Sequence, residues 1–213
     1  MSTDTKPPTI AKPQRAITGR RLERMSGVLA RRQPDLTIVL ENVHDPHNIS
    51  AVLRSCDATG VLTVHLVYTI EEWPVLSRIS SASALKWLEI VRHESVASCY
   101  ASLRTQGLSI LATHLDSDSH DLYKLDLTRP VALVFGNEHR GVSDEARELA
   151  DASVVIPMMG MVQSLNISVA CAVTLYEALR QRRTAGCYDA PNLSSEDRTA
   201  RLGRWLQRER RVM

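Results

Sequence analysis

Apolar residues along this chain fall into short runs, separated by stretches in which they recur every third or fourth position. Leu36–Leu40 (LTIVL), Leu62–Val67, Leu108–Thr113 and Val131–Phe135 (VALVF) are runs of five or six. They are short enough for strands and apolar enough to be covered on both faces. Trp87–Val91 and the β-branched Val154–Ile156, which Pro157 stops, extend the set. Between these runs the period is helical. Ile49, Val52, Leu53 and Cys56 share a side ahead of Gly60. Ser95–Gln106 and Ser143–Ala150 follow, the second with Asp144 and Glu145 in its first turn. Leu165, Val169, Ala172, Leu175, Tyr176 and Leu179 mark a longer helix that starts at Ser164. Strand and helix alternate throughout, which predicts an α/β fold, a parallel sheet with helices on both faces.

Two further helical patterns flank this core. In Gly19–Gln33, Leu22, Met25, Val28 and Leu29 lie on one side, and Arg20, Arg21, Arg24, Arg31 and Arg32 crowd the others. Pro34-Asp35 ends it. Leu193–Trp205 reads as an amphipathic helix anchored by Leu202, Trp205 and Leu206. Residues 1–14, rich in Pro, Thr and Lys, are expected to be disordered, and Ser77–Ala84 irregular. The chain thus divides into a basic arm and helix (1–35), a core of alternating strands and helices (36–183) and a basic helical extension (184–213).

Composition narrows the class. The 213 residues suit one well-buried domain with appendages, and a single Phe makes the core aliphatic. No apolar run approaches the ~20 residues of a membrane span, and no signal peptide opens the chain, so a cytoplasmic protein without a membrane partner is expected. Cys56, Cys99, Cys171 and Cys187 form no CxxC pair, and the seven histidines show no ligand spacing. Free thiols and no metal are therefore expected. The net charge of +2 hides an asymmetry. Residues 1–35 hold eight basic against three acidic groups, residues 178–213 nine against four, and the middle nine against seventeen. Basic ends around an acidic middle suit either arms that reach for a polyanion or ordinary solvated helices.

Candidate chemistry gathers at the C-terminal ends of the strands. Ser164-Leu165-Asn166 sits between the Met158–Gln163 loop and a helix start, where unpaired amides can dock a polar ligand or where Ser and Asn simply cap the helix. Asn48 opens another helix just after the first strand, where open α/β sheets place ligands. Arg54 lies six residues on, inside a short apolar helix, and a salt bridge or a snorkelling side chain would explain it equally. Gly136-x-Glu138-x-x-Gly141 follows a strand but lacks the dinucleotide fingerprint, and no Walker-type phosphate loop is present. Glycines around one carboxylate fit a loop whose backbone comes close to a small ligand.

Three segments, ENVHDPHNISAVLRSCDATGV, LVFGNEHRGVSDEA and IPMMGMVQSLNISVACAVTLYEA, resemble in order and spacing the three motifs of the SpoU/TrmH family of RNA ribose 2′-O-methyltransferases, in the SPOUT superfamily. The resemblance covers roughly residues 36–183. RRQPDL, MVQSLN and LYEALRQR point to the branch acting on guanosine 18 in the tRNA D-loop. The family implies a deep trefoil knot at the C-terminal side, S-adenosylmethionine as methyl donor, tRNA as partner and a homodimer. Residue by residue, it implies catalytic roles for Asn48, Arg54, Glu138, Ser164 and Asn166. It implies cofactor contacts at Thr113, Gly136, Ile156, Met158 and Leu165, and RNA contacts at Arg24, Arg32, Lys86, Arg180 and Arg182. Two positions depart from the pattern. Leu85 stands where relatives often carry a polar residue, and the variable positions of the second motif are the basic His139 and Arg140.

Overall fold

The structure, a computed structural model, describes residues 17–74 and 84–210. Residues 1–14 and nearly all of the Ser77–Ala84 stretch lie outside the described residues. Seven strands form one parallel sheet: β1 (Leu36–Glu41), β2 (Thr63–Val67), β3 (Glu89–His93), β4 (Ser109–Thr113), β5 (His120–Asp121), β6 (Val131–Phe135) and β7 (Ala152–Val155). Their order across the sheet is β3-β2-β1-β6-β4-β7-β5, and every pairing is parallel. The connecting helices are α1 (Gly19–Ala30), α2 (Pro46–Thr59), α3 (Val96–Thr105), α4 (Asp144–Leu149), α5 (Ile167–Thr184) and α6 (Ser195–Arg210). Because all strands run one way, the segments leaving β1, β6 and β7 emerge at the same end of the sheet.

Alternation along each strand divides the core between two faces. Leu36, Ile38 and Leu40 of β1 pack with Ile49, Val52 and Leu53 of α2 and with Cys171, Leu175 and Ala178 of α5. Val39, between them, faces the other way with Ala132, Val134, Ile110 and Ala112, against Cys99, Tyr100 and Leu103 of α3 and Ala146 of α4. The expected two-sided parallel sheet is therefore present. Cys56, Cys99 and Cys171 are buried free thiols, and Cys187 is a half-buried one. Among the described residues no helix is long and apolar enough to cross a membrane.

The elements differ from the sequence pattern mostly at their ends. Helix α2 starts at Pro46 rather than at His47-Asn48, because Asp45 caps it by accepting the His47 N–H and Pro46 lacks the N–H a first turn leaves unpaired. Strand β3 begins two residues beyond Trp87, after a 3₁₀ turn at Ala84–Lys86. The two-residue β5 and the turn Leu122–Lys124 were not foreseen, since two residues carry no periodicity. Helix α6 runs on to Arg210. It packs on α1 through Met25, Leu29 and Trp205, with Trp87 edge-on to Trp205 at 5.1 Å between ring centroids.

Three of the basic residues expected to meet RNA are engaged by the protein itself. Arg32 is fully buried: its guanidinium donates to the Val61 carbonyl (2.8 Å), pairs with Asp57 (2.5 Å) and lies over the Trp205 ring. Arg182 is equally buried and donates to Asp35 Oδ1 (2.6 Å), Gln33 Oε1 (3.1 Å) and the carbonyls of Leu127 (2.9 Å) and Arg129 (2.8 Å). Lys86 is mostly buried, with its ammonium 3.4 Å from Glu209. These side chains hold the terminal segments to the core, and their charges are already answered by protein acceptors. Arg24 and Arg180 remain on the surface, Arg180 pairing with Glu177 on its own helix.

Candidate active site

The loop Gly136–Gly141, leaving β6, is built as a tight ring. Asn137 and Gly141 exchange backbone hydrogen bonds of 2.9 and 2.8 Å. The Asn137 side chain accepts the N–H groups of His139 and Arg140 and donates to the Asn42 carbonyl at 2.8 Å. A Cβ at Gly136 would stand 2.1 Å from the Gly141 and Val142 backbone, and Gly141 itself has φ +69°. Both glycines are therefore steric requirements of the ring.

The ring aims Glu138 at the start of α2. Its carboxylate accepts the backbone N–H groups of His44 (3.0 Å) and Asp45 (3.1 Å) and the Asn48 amide (2.9 Å). Burial alone would raise the carboxyl pKa and is the largest single influence. The three donors, with Glu138's own backbone N–H, outweigh it, so the pKa lies below its ordinary value. Asn48 Oδ1 in turn accepts from Asn166 Nδ2 at 3.1 Å, and Asn166 Oδ1 caps α5 by accepting the Ser168 N–H at 2.8 Å. Glu138, Asn48 and Asn166, from three separate segments, thus form one polar chain across the strand ends. Ser164 is exposed beside it, in a segment that leads into the Asn166 cap.

Two adjoining cavities open here and share Thr113, Ser164, Leu165 and Ala170. One is walled by Ile156, Met158 and Val154; the other, of about 550 Å³, by Gly136, Glu138, Asn166 and Ile167. That volume suits a small-molecule ligand. All five residues expected to contact a cofactor line one cavity or the other. Thr113 is fixed by donating its hydroxyl to the Val134 carbonyl at 2.8 Å. Arg54 is the exception among the catalytic candidates. It is exposed on α2, lines neither cavity and has no hydrogen bond or ion pair among the described residues.

Several site residues gave little sign of themselves in the sequence. Asn42, at φ +49°, accepts the N–H groups of Thr69, Ile70 and Glu71 on its side-chain oxygen and so ties the segment after β1 to the one after β2. Glu71 bridges His44 (3.0 Å) and Arg140 (2.5 Å) at the surface beside the ring. The Glu71 carboxylate, accepting from the His44 ring, raises the His44 pKa. An Asn just after a buried strand is the one available signal, since Asn tolerates the left-handed region.

Glu138 makes the stability of this site depend on pH. Its native pKa is depressed, so its contribution is complete above the ordinary value of 4.5 and is lost as pH falls through the lower native value. Glu138→Gln removes the charge that the three donors answer, and about 1 kcal/mol, roughly 2–4 °C in Tm, is expected at pH 7. In thermal melts the gap between the two proteins should close as pH falls below 4. A gap that is unchanged at pH 3 would mean the charge is not what holds the ring to α2.

Residues 35–176 match the model of the SpoU rRNA Methylase family. The chain is 47% identical over 194 residues to a tRNA (guanosine(18)-2'-O)-methyltransferase of Thermus thermophilus, a match covering 91% of this chain and 100% of the relative. Among solved structures, the A. aeolicus TrmH/SpoU tRNA modifying enzyme superposes with a TM-score of 0.84 at 39% identity, covering 88% of this chain and 95% of that one. The SpoU methyltransferase AviRb of Streptomyces viridochromogenes, in complex with the cofactor AdoMet, superposes with a TM-score of 0.63 at 31% identity, covering 73% and 62%.

Proposed function

The chain belongs to the SpoU rRNA Methylase family, and from that premise we propose that it methylates the ribose 2′-oxygen of guanosine 18 in tRNA, with S-adenosylmethionine as methyl donor. The observation that carries this reading is the polar chain Glu138–Asn48–Asn166 set beside a cavity lined by Gly136, Glu138 and Asn166. The residues present fit the donor. Ile156, Met158 and Leu165 offer apolar walls for a purine ring, and the ring of backbone at Gly136–Gly141 offers polar edges. Bound S-adenosylmethionine supplies a methyl group activated by its sulfonium.

The protein's own part is to position and to stabilise. The ribose hydroxyl is a weak nucleophile and gains strength as its proton leaves. A guanidinium resists deprotonation, so Arg54 is assigned to holding a substrate phosphate and stabilising negative charge on the attacking oxygen. Its freedom from any partner among the described residues suits a group reserved for substrate. Asn48 and Asn166 tie the start of α2 to the start of α5, Glu138 ties the ring to α2, and the exposed Ser164 hydroxyl orients groups in the shared part of the two cavities. Closing the site around aligned reactants accounts for much of the rate.

The interleaved order of the C-terminal strands supports the trefoil knot that the resemblance implies. Strand β6 lies between β1 and β4, and the later β7 between β4 and β5. Met159 and Met161, 94% and 99% exposed, adjoin Val162, and Val169 and Tyr176 of α5 are exposed as well. Apolar side chains so fully bared favour a homodimer formed over this face. Replacing both Met159 and Met161 with Glu should convert a dimer to a monomer in light scattering, with Tm little changed for the separated chain. A variant that stays dimeric would place the interface elsewhere.

RNA is assigned to the exposed arginines, Arg20 and Arg24 of α1 and Arg180 and Arg183 of α5. The reading is tested by titrating unmodified tRNA transcript into the protein over a range of salt concentrations, with S-adenosylmethionine binding followed separately by calorimetry. Affinity for tRNA should fall steeply with salt, and the slope should shrink by about 1–2 in the Arg24→Ala, Arg180→Ala double variant. Binding of the donor with no salt-dependent tRNA binding would turn the reading toward ribosomal RNA.

A further inference from the structure

On the far side of the sheet from the polar chain, three side chains outside the candidate active site converge. His65 on β2 and His93 at the end of β3 are diagonal neighbours on adjacent strands, since His65 pairs with Val91. His65 Nδ1 and His93 Nε2 lie 2.8 Å apart. Cys99 of α3 stands against them, and one ligand-type atom from each of the three residues lies within 4.8 Å of the other two. His65 and Cys99 are buried and His93 half-buried. We propose that His65, His93 and Cys99 form a zinc site that ties the edge strand β3 to β2 and α3.

Two imidazoles and a thiolate are a donor set that Zn²⁺ prefers, with a fourth position left for water on the half-exposed His93 side. Tetrahedral zinc, at about 2.0–2.1 Å from nitrogen and about 2.3 Å from sulfur, would hold its ligand atoms roughly 3.3–3.6 Å apart. The two nitrogens need separate by about half an ångström, and the Cys99 sulfur, within 4.8 Å of both, need move in by at most about 1.2 Å. Burial, the largest influence on each, favours the uncharged imidazoles, with His65 lowered to about 4 and His93 lowered as well. Uncharged imidazole is the ligand form. Burial also pushes the Cys99 thiol up to about 12, so zinc must displace its proton. The balance is one proton released from Cys99. The proton shared between the facing imidazole nitrogens moves to the outer nitrogen of whichever ring carried it.

The site has a structural consequence. Strand β3 also carries Glu89, which pairs with Arg201 and Arg204 of α6. Fixing β3 therefore fixes the seat of the C-terminal helix. No spacing motif marks positions 65, 93 and 99, so the cluster runs against the sequence-based expectation of no metal.

The test uses the full chain, dialysed against chelator and then given Zn²⁺ or Co²⁺ alone. One equivalent of Zn²⁺ should bind, and Tm should rise by roughly 5–10 °C at a hundredfold excess over Kd. Co²⁺ should develop tetrahedral visible bands and a thiolate charge-transfer absorption. Cys99→Ser should lose the charge-transfer band, and His93→Asn, at the partly exposed strand end, should bind Zn²⁺ at least roughly 100-fold more weakly. Zinc binding that is unaltered in both variants, or no rise in Tm of the native chain, would overturn the site. If Cys99→Ser fails to fold, the His93→Asn titration and the cobalt spectrum of the native chain decide the matter.

Discussion

Arg54→Ala is expected to lower methyl transfer by roughly 10²–10³-fold in kcat while leaving S-adenosylmethionine affinity and Tm nearly unchanged. The expectation rests on a contrast within the site. Asn48, Glu138 and Asn166 are bonded to one another, so changing any of them disturbs architecture as well as chemistry. Arg54 is exposed and has no bond among the described residues, so its removal leaves no protein group unpaired. Arg54→Lys should recover part of the rate, because a point charge can still hold a phosphate but cannot make the paired contacts of a guanidinium. Single-turnover rates, donor calorimetry and melts on the three proteins check this. A fall in Tm matching the fall in rate would make Arg54 a structural residue instead.

Arg182→Leu should produce the largest loss of stability of any single change considered, about 3–5 kcal/mol, or roughly 6–20 °C in Tm. The substitution leaves the carbonyls of Leu127 and Arg129, the side chain of Gln33 and the half-exposed Asp35 carboxylate without their shared donor. The segment after α1, the turn before β6 and the end of α5 are all held by that one guanidinium. Two residues earlier, Arg180→Ala should change stability by less than about 0.5 kcal/mol, since Arg180 is exposed and pairs only within its own helix. Instead it should weaken tRNA binding. The pair of variants separates the two jobs of the basic segment by thermal melts and RNA titration. Equal stability losses at the two positions would contradict the division.

The same pair shows what could be read from the chain and what could not. LTIVL and VALVF declare buried strands because no polar residue interrupts them, and the parallel sheet follows from the helices between. Glu138, Asn48 and Asn166 could be singled out because each follows a strand or opens a helix, where ligands bind. That they bond to one another depends on β1 and β6 lying side by side, with Leu36 in register with Val131 ninety-five residues on. Arg32 and Arg182 read as surface charges because charge is visible in a sequence and burial is not. Their acceptors lie 25 to 149 residues away. RRQPDL and LYEALRQR, met as separate features, are the two halves of one buried network. Asp45-Pro46 carried the true start of α2 in plain view, and the nearby Asn48 drew the boundary too far on.

The target nucleotide decides between a tRNA guanosine-18 enzyme and its relatives, and mapping the methylated position reads it out. Purified protein, methyl-labelled S-adenosylmethionine and an unmodified tRNA transcript would be incubated, and the product sequenced at the ribose 2′-position. A single 2′-O-methyl group on guanosine 18, absent when the transcript carries another base there, is the expected product. A methyl group on a different nucleotide, or the same yield on the substituted transcript, would contradict it.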